Sequence, residues 1–485
     1  MTPPNSKKIV SGLFWVYLEN ISVQIVNFVI SVILARLLDP SHYGTVALLM
    51  VFISMANVFV TSGISSALIQ KKDADDLDYS TMFWFNLLVA LVLYGILFAA
   101  APAVGRYYND EALILMFRIL TLSIPLSAFN CIQHAYVSSH MVFKKSFISS
   151  SGGTLLSGIV GVILAYCGLG VWALVVQRIL QVAFNTVLLK MVIKWTPKRI
   201  FSFKRLKPLL SFGWKMMATG LLFTGYSELR SLIIGKRYSA ADLGYYDRGY
   251  SFPKLVASNI DSSITRVLFP ALANEQNEKR RLAEKTRRAG KTSAYIMTPI
   301  LWGLAIIAHP LVLLLLGEKW LPCVPYMQIM CLVWWLQPTQ TCSAQAIKAI
   351  GRSDLYLYIE IISKVIGLGL LAYAVLVKDS VFAIAVMFLL GQAIAVLIYG
   401  SVSAKYVGYK IRHQMADLFV PVLMSAVVCA YAYLISKVID NNLLCMLVQV
   451  SGGVVIYLVL SKLTKNDSLA YIVSSFGLNK KKNKS

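Results

Sequence analysis

Residues 211–270 read SFGWKMMATGLLFTGYSELRSLIIGKRYSAADLGYYDRGYSFPKLVASNIDSSITRVLFP and predict two helices long enough to span a membrane. Ionisable residues recur inside these helices, among them Lys215, Glu228, Arg230, Lys254, Asp261 and Arg266. A charge at bilayer depth costs several kcal/mol unless it faces protein or water. Polar residues also recur on one face of the second helix, at Ser251, Lys254, Ser258, Asp261 and Thr265. The stretch therefore predicts a polar cavity lined by these helices.

The composition of the whole chain is that of a polytopic membrane protein. Of its 485 residues, 58% are hydrophobic and 14% are charged, and the mean hydropathy is +0.68. These values exclude a set of soluble domains. Division of the chain at charges and at Gly and Pro turns predicts about fourteen spanning helices. The predicted spans are 11–35, 43–63, 80–104, 113–137, 147–166, 171–192, 212–234, 247–271, 292–316, 325–347, 357–377, 382–402, 416–437 and 443–461.

The net charge of +24 has an uneven distribution that predicts topology. One alternate set of loops and termini holds thirty Lys and Arg residues, whereas the other set holds six. Basic loops stay on the cytoplasmic side, so both termini are predicted to be cytoplasmic and the number of spans even. Topology and attraction to anionic lipid explain the basic loops, and nucleic-acid binding is excluded.

The seven cysteines and five histidines predict no disulfide framework, metal site or cofactor. The cysteines are scattered singly without CxxC spacing, and the histidines form no pair at helical spacing. The apolar run that follows Lys8 is too long for the apolar region of a signal peptide and contains Glu19 and Asn20. We therefore interpret it as an uncleaved first spanning helix.

The first helix carries a polar stripe of its own. Asn20, Gln24, Asn27 and Ser31 follow one another at helical spacing, and Glu19 lies beside them. Hydrogen bonds between helices would account for the amides as well as a cavity would. Glu19 lies about 6 Å from the helix midpoint, so it is expected to be paired, protonated or in contact with water.

A turn after the first helix recurs 200 residues later. Arg36 corresponds to Lys236 and Gly44 to Gly244. Self-similarity at one long period predicts duplicated halves, here two parallel six-helix repeats. The predicted organisation is an N-lobe, a basic cytoplasmic linker, a C-lobe, two further helices and a basic cytoplasmic tail, at 1–192, 193–211, 212–402, 403–462 and 463–485.

Three other segments have structural interpretations. The small-residue run 149–153 predicts close helix packing. The basic segment 273–291 predicts either a short amphipathic helix on the inner leaflet or a solvated run of charges. Glu360 and Lys364 stand at i, i+4 and predict a self-neutralised pair rather than a binding site.

Four motifs carry a resemblance to a known family. They are Ala35-Arg-Leu-Leu-Asp-Pro-Ser-His-Tyr-Gly44, Ala67-Leu-Ile-Gln70, Ile264-Thr-Arg-Val-Leu-Phe-Pro-Ala-Leu272 and Gly317-Glu-Lys-Trp320. Their order and spacing resemble the Wzx-type flippases, which are polysaccharide exporters of the multidrug/oligosaccharidyl-lipid/polysaccharide (MOP) superfamily. The chain looks closest to the colanic-acid and teichuronic-acid exporter branch. The resemblance covers nearly the whole chain.

The resemblance implies a MATE-like transporter with no catalytic residues. It implies alternating access by two six-helix bundles, with undecaprenyl-diphosphate-linked oligosaccharide as the cargo. The expected location is the bacterial cytoplasmic membrane, and a polysaccharide polymerase is a candidate partner besides the lipid bilayer.

The site residues are predicted from their depth in the membrane. Four cations form a ladder for the diphosphate, with Lys215 and Arg266 near the cytoplasmic mouth, Lys254 near the middle and Arg230 toward the outer face. The amides Asn20, Gln24 and Asn27 add polar contacts to the cargo. Asp261, with Glu19 as the second candidate, is predicted to couple transport to a proton or sodium gradient.

Other functions stay open at this point. A membrane-bound sugar polymerase or ligase normally needs an extramembrane loop large enough for a site, and the predicted loops are short. A drug exporter of the same superfamily would favour a cavity dominated by carboxylates. A flippase for the peptidoglycan precursor shares both cargo chemistry and topology.

The distribution of basic residues gives a direct test of topology. Single cysteines at Asn109, Ala241 and Lys319 should react with an impermeant thiol reagent from outside, and those at Lys204 and Arg281 only from inside. Labelling of positions 204 and 241 from the same side would contradict the predicted arrangement of spans.

Overall fold

The computed structural model describes residues 6–62, 68, 71, 74–193, 195–275, 278–464 and 466–475. Within these ranges the chain is α-helical, with two short 3₁₀ or π segments and no β-strand. The chain forms two compact units, Met1–Gly244 and Tyr245–Ser485. Of the motif 67–70 only Leu68 is described, and residues 465 and 476–485 of the predicted tail lie outside the described residues.

The first unit contains eight complete helices and the start of a ninth. They are α1 (Ser6–Leu37), α2 (Pro40–Thr61), α3 (Asp76–Tyr108), α4 (Ala112–Thr121), α5 (Ser123–His140), α6 (Phe143–Tyr166), α7 (Val171–Val192), α8 (Phe203–Arg237) and α9 (Ala240–Ala273). Helix α1 packs on α6, α6 on α7, and α8 on α2 and α3. A buried apolar cluster around Met82, Ile132 and Leu189 joins α3, α5 and α7.

The second unit takes up α9 and continues to the C-terminus. Its helices are α10 (Lys279–Ile306), α11 (Ala308–Leu315), α12 (Val324–Trp335), α13 (Gln337–Ala349), α14 (Ser353–Tyr373), α15 (Val381–Tyr406), α16 (Ile411–Val438), α17 (Asn442–Leu463) and α18 (Asp467–Ser475). A 3₁₀ turn, Glu318–Cys323, precedes α12, and a π turn, Ala374–Lys378, follows α14. Ala257, Met297 and Cys331 bury the contact of α9 with α10 and α12.

The multi-pass membrane character predicted from composition is confirmed. Ten of the described helical segments are long and apolar enough to cross a membrane, or eleven if α10 and α11, bent by 64°, form one span. Helices α8 and α9 do not pass this test of apolarity, because they contain the ionisable residues on which the sequence argument began.

Three predicted spans are interrupted in the structure. The segment 113–137 divides into α4 and α5 at Leu122, 292–316 divides into α10 and α11 at Ile307, and 325–347 divides into α12 and α13 at Leu336. Pro338 stands in the first turn of α13, where proline fits, but its ring and its missing N–H disfavour continuation of the preceding helix. The break at Leu336 is therefore local, and the apolar pattern of 325–347 continues through it.

The basic segment 273–291 does not form a separate short helix, which was one of its two predicted interpretations. From Lys279 onward it is the first part of α10, and its charges have partners. Arg287 binds Asp417 through two hydrogen bonds of 2.7 and 2.9 Å, and Lys291 binds Asp467 at 2.7 Å. The Lys291 ammonium lowers the pKa of Asp467 below its ordinary value. Helix α18, which carries Asp467, was also missed because its nine residues give too short a pattern.

The predicted linker 193–211 is folded against the acidic start of α3. Lys198 binds Asp76 at 2.6 Å, and Arg205 lies 3.4 Å from Asp75. The pKa of Asp75 is lowered, chiefly because the Asp78 amide donates to its carboxylate, with Arg205 contributing. The compact units divide later than the predicted lobes because α8 packs on α2 and α3. The lobes 1–192 and 212–402 follow from the repeat in the sequence and stay a prediction.

The two turns that repeat at a shift of 200 have the same local structure. The Asp39 amide donates to His42 Nδ1 (3.4 Å), and the Ser239 amide donates to Asp242 Oδ2 (3.2 Å). Each hydrogen bond joins the cap residue to the third residue of the following helix, which fixes the start of α2 and of α9. The self-similarity at a shift of 200 residues therefore corresponds to two helix starts with equivalent capping hydrogen bonds.

The glycines of these turns allow α2 and α9 to touch through their backbones. A Cβ on Gly44 would overlap the carbonyl oxygen of Ala240, and a Cβ on Gly244 would overlap that of Pro40. The two contacts are equivalent under the shift of 200, since each glycine faces the first residue of the opposite helix. Only glycine leaves room for this approach.

We expect Gly44→Ala to destabilise the protein by about 1–3 kcal/mol, because the backbone carbonyl that it meets cannot move aside. Gly225→Ala on α8 is the matched control, since an added Cβ there meets nothing within 4 Å. The measurement is the apparent Tm of the detergent-purified protein at a fixed scan rate. Equal Tm values for the two variants would contradict the contact.

Candidate functional site

The carboxylate of Glu19 is held inside the first unit by two serines of α6. Ser146 Oγ donates to Glu19 Oε1 at 2.9 Å, and Ser150 Oγ donates to the same oxygen at 2.6 Å. The serines stand at i, i+4, so both hydroxyls face α1. His134 of α5 extends the group, because its Nδ1 lies 3.5 Å from Ser146 Oγ.

A polar cavity of about 500 Å³ lies beside this group. Five helices of the first unit line it, namely α1, α2, α5, α6 and α7. The lining residues are Val23, Thr61, Ser127, Asn130, Cys131, His134, Ser150, Thr154, Gln181, Val182 and Asn185. Most of these side chains can donate or accept hydrogen bonds. Ser150 therefore connects the Glu19 carboxylate to the cavity.

Two amides of the cavity wall carry buried acceptor oxygens. Asn130 is only 7% exposed, and its Nδ2 is directed at the Val182 carbonyl at 3.5 Å. Within the described part of the chain, its Oδ1 and the Oδ1 of Asn185 are buried without a hydrogen-bond partner. Because an unpaired buried acceptor is costly, these oxygens suit a ligand that brings hydroxyl groups, water or a cation.

The three amides predicted on α1 do not line this cavity. Asn20 is exposed, and Gln24 and Asn27 are half-buried. Glu19 and Val23, at i and i+4, form the face of α1 that turns to α6 and the cavity. The predicted stripe therefore lies on the neighbouring face of the helix, and its role as a contact to the cargo stays a prediction.

The predicted cations of α8 and α9 differ in their surroundings. Arg230 is 7% exposed, with its guanidinium 5.6 Å from the centre of the Tyr226 ring. Lys254 is exposed, with its ammonium 5.0 Å from the Tyr250 ring, and Arg266 is exposed as well. The side chain of Lys215 lies outside the described residues, and Glu228 is half-buried.

Asp261 is half-buried in the second unit, in contact with the hydroxyl of Thr341 on α13. A separate polar network lies on α13, α14 and α15. Tyr399 donates to Glu360 at 2.6 Å, and Lys364 lies 3.7 Å from Glu360, which confirms the predicted pair. Gln392 bridges Gln340 and Gln337 at 2.7 and 3.2 Å. The network satisfies its own polar groups within the bundle.

Sequence reasoning missed three members of the Glu19 group, namely Ser146, Ser150 and His134. Ser150 belongs to the run 149–153, for which the sequence predicted only close helix packing. Gly153 does bring α6 close to the Asn185 backbone of α7, as the run predicted. The spacing of Ser146 and Ser150, four residues apart, could have indicated a polar face of α6. It could not have identified Glu19 on α1 as the partner of that face.

The chain is similar to proteins of polysaccharide biosynthesis. A family model described as "Polysaccharide biosynthesis protein" matches residues 33–325. The teichuronic acid biosynthesis protein TuaB of Bacillus subtilis (strain 168) is 23% identical, covering 90% of this chain and 96% of TuaB. The lipopolysaccharide biosynthesis protein WzxC of Escherichia coli (strain K12) is 24% identical, with coverages of 90% and 89%. The succinoglycan biosynthesis transport protein ExoT of Rhizobium meliloti (strain 1021) is 24% identical, with coverages of 77% and 76%.

Solved structures share the fold. The lipid II flippase MurJ in an inward closed conformation has a TM-score of 0.78 at 15% identity, covering 94% of this chain and 100% of MurJ. An inward-facing multidrug resistance MATE family transporter of the MOP superfamily has a TM-score of 0.63 at 15% identity, with coverages of 80% and 94%. The MATE-like fold that the resemblance implied is confirmed.

Proposed function

Because this chain belongs to the polysaccharide biosynthesis protein family, we propose that it is a flippase for lipid-linked oligosaccharide repeat units. The cargo is an undecaprenyl-diphosphate-linked glycan, and alternating access moves it across the bacterial cytoplasmic membrane for surface polysaccharide biosynthesis. The names of ExoT, TuaB and WzxC support this class of cargo. The proposal includes no catalytic step.

The observation that carries the proposal is the polar cavity built from membrane-length helices. A lipid diphosphate and its sugars are charged and hydroxyl-rich, and their transfer into hydrocarbon is prohibitive. A protein that moves them must replace water with polar groups at membrane depth. The Asn130 and Asn185 oxygens and the hydroxyls of the cavity wall are groups of that kind.

The proposed topology has fourteen spans with both termini in the cytoplasm. The helices give this number if α4–α5, α10–α11 and α12–α13 each form one span and α18 lies outside the membrane. The first twelve spans make two six-helix repeats. The equivalent helix starts at Asp39 and Ser239 support the duplication, and the basic loops support the orientation.

The cations of α8 and α9 are proposed to hold the diphosphate during transport. Lys254 and Arg266 are both exposed on α9, and Lys254 lies on its polar face, so their charges are available to an anion. Arg230 lies deeper, and Lys215 is proposed from its position alone. Together the four residues form the predicted ladder.

Glu19 is proposed as the residue that couples transport to an ion gradient. Its carboxylate adjoins a polar cavity, and the ionisable His134 lies one hydroxyl away. Protonation of the carboxyl would change the hydrogen bonds that join α1 to α6. The charge state of Glu19 would therefore affect how the two helices pack. Asp261, placed first by the sequence argument, has the Thr341 hydroxyl as its contact and stays the second candidate.

Neutralising the exposed cations should impair export. We expect Lys254→Ala and Arg266→Ala each to reduce export roughly tenfold or more, because each removes a charged contact to phosphate. The measurement is lipid-linked oligosaccharide accumulated on the cytoplasmic side of a deletion strain that expresses each variant. Lys437→Ala, an exposed lysine at the end of α16, is the control. Wild-type export by both variants, at equal membrane abundance, would refute the cation ladder.

Glu19→Gln should abolish the dependence of transport on an imposed gradient while leaving the fold intact. Glutamine keeps an oxygen that can accept from Ser146 and Ser150 but has no proton to exchange. The measurement is transport in proteoliposomes with a proton gradient, and with a sodium gradient in a second arm. Asp261→Asn is tested in parallel. If both variants keep the gradient dependence of the unaltered protein, neither carboxylate couples transport.

A further inference from the structure

We infer that the first unit carries a second binding site, a groove between α3 and α8 that holds the phosphate-bearing end of the carrier lipid. The groove has a volume of about 870 Å³, within the usual range of ligand pockets. None of its described lining residues belongs to the cavity beside Glu19. The inference rests on the proposed function only for the identity of the lipid.

The groove is formed by one face of each helix. The wall on α3 consists of Ala100, Ala103, Val104, Tyr107 and Tyr108, and the wall on α8 consists of Leu229, Leu232, Ile233, Lys236 and Arg237. Both sets follow i, i+3, i+4, i+7, i+8, so each is a single helix face about 12 Å long. Phe52 of α2 completes the lining. The small side chains of Ala100 and Ala103 leave the space between the helices open.

The two ends of the groove differ in chemistry. The part nearer the helix middles is apolar, whereas Tyr107, Tyr108, Lys236 and Arg237 lie together where both helices end. The Lys236 ammonium is fixed there, since it donates to the Tyr107 carbonyl and lies 4.1 Å from the Tyr107 ring and 5.9 Å from the Tyr108 ring. Both cationic side chains are exposed. An apolar slot that ends at two cations is complementary to an amphipathic anion.

The single-chain carrier lipid suits this groove better than a membrane phospholipid does. A slot bounded by one face of each of two helices accommodates one chain along its length, and a polyprenyl phosphate has one chain whereas a glycerophospholipid has two. A phosphate or diphosphate at the cationic end would meet Lys236 and Arg237. In the proposed topology this end faces outward, so the groove would receive the lipid after its sugars have crossed.

Photolabelling of the full chain tests the site. The protein is placed in phosphatidylcholine nanodiscs with a diazirine-bearing polyprenyl diphosphate that has no sugar, and labelled residues are identified by mass spectrometry. We expect adducts within 100–108 and 229–237, displaced by unlabelled polyprenyl diphosphate. Inorganic diphosphate and phosphatidylglycerol at equal concentration should not displace them.

Variants separate the headgroup contact from the slot. Lys236→Gln should weaken labelling roughly tenfold, and Lys236→Arg should restore it. Ala103→Trp should fill the slot and abolish the adducts. Lys378→Gln, an exposed lysine of the other unit, is the matched control and should label normally.

Three results would overturn the inference. The first is unchanged labelling in Lys236→Gln. The second is equal displacement by phosphatidylglycerol, which would indicate an ordinary phospholipid site. The third is equal displacement by inorganic diphosphate, which would indicate a simple anion site. Because the assay measures binding without transport, its outcome is independent of whether the protein moves lipid. A protein that labels as expected but exports nothing would contradict only the proposed function.

Discussion

The cost of placing a charge or an unpaired polar atom at bilayer depth governs this structure. Glu19 lies in the middle of a helix that is otherwise apolar enough to cross a membrane, and α6 meets that cost with two serine hydroxyls on one oxygen. The same constraint places Arg230 against an aromatic ring and Glu360 against Tyr399 and Lys364. Among the buried polar atoms that the described helices leave without a partner are the Oδ1 atoms of Asn130 and Asn185, two residues of the cavity wall. The polar interior therefore follows from residues that lipid would not tolerate.

The sequence predicted the helical architecture well because hydrophobicity and charge act locally along the chain. The turns before α2 and α9 were recognised through a repeat of 200 residues, since capping and close backbone contact depend on a few residues in a short turn. The predicted spans 43–63 and 247–271 nevertheless begin after the observed helix starts at Pro40 and Ala240. The breaks at Leu122, Ile307 and Leu336 were missed because an apolar pattern continues through a bend. The basic segment at the start of α10 was misassigned because its partners, Asp417 and Asp467, lie more than a hundred residues away.

The candidate site was likewise predicted where the pattern is local in the sequence and missed where it depends on residues far apart in the chain. Helical spacing placed Glu19 at membrane depth, but it could not identify Ser146 and Ser150, which are 127 and 131 residues distant. It also favoured the amides Asn20, Gln24 and Asn27, because a polar stripe gives the face of a helix and not the neighbour that it meets. The groove between α3 and α8 had no signal in either helix alone, since each wall reads as an ordinary apolar face. In our proposals the cavity meets polar groups of the cargo, and the groove meets its phosphate and the adjoining part of its apolar chain.

The most direct measurement for this account is movement of a lipid-linked oligosaccharide by the purified chain in sealed liposomes. The lipid is distributed over both leaflets, and a membrane-impermeant glycosidase added outside digests whatever glycan it can reach. The account predicts that digestion proceeds to near completion with the protein and stops at about half without it, because only a flippase brings the inner-leaflet lipid to the enzyme. Digestion that stops at about half in liposomes containing folded protein, with the ion gradient imposed, would contradict it.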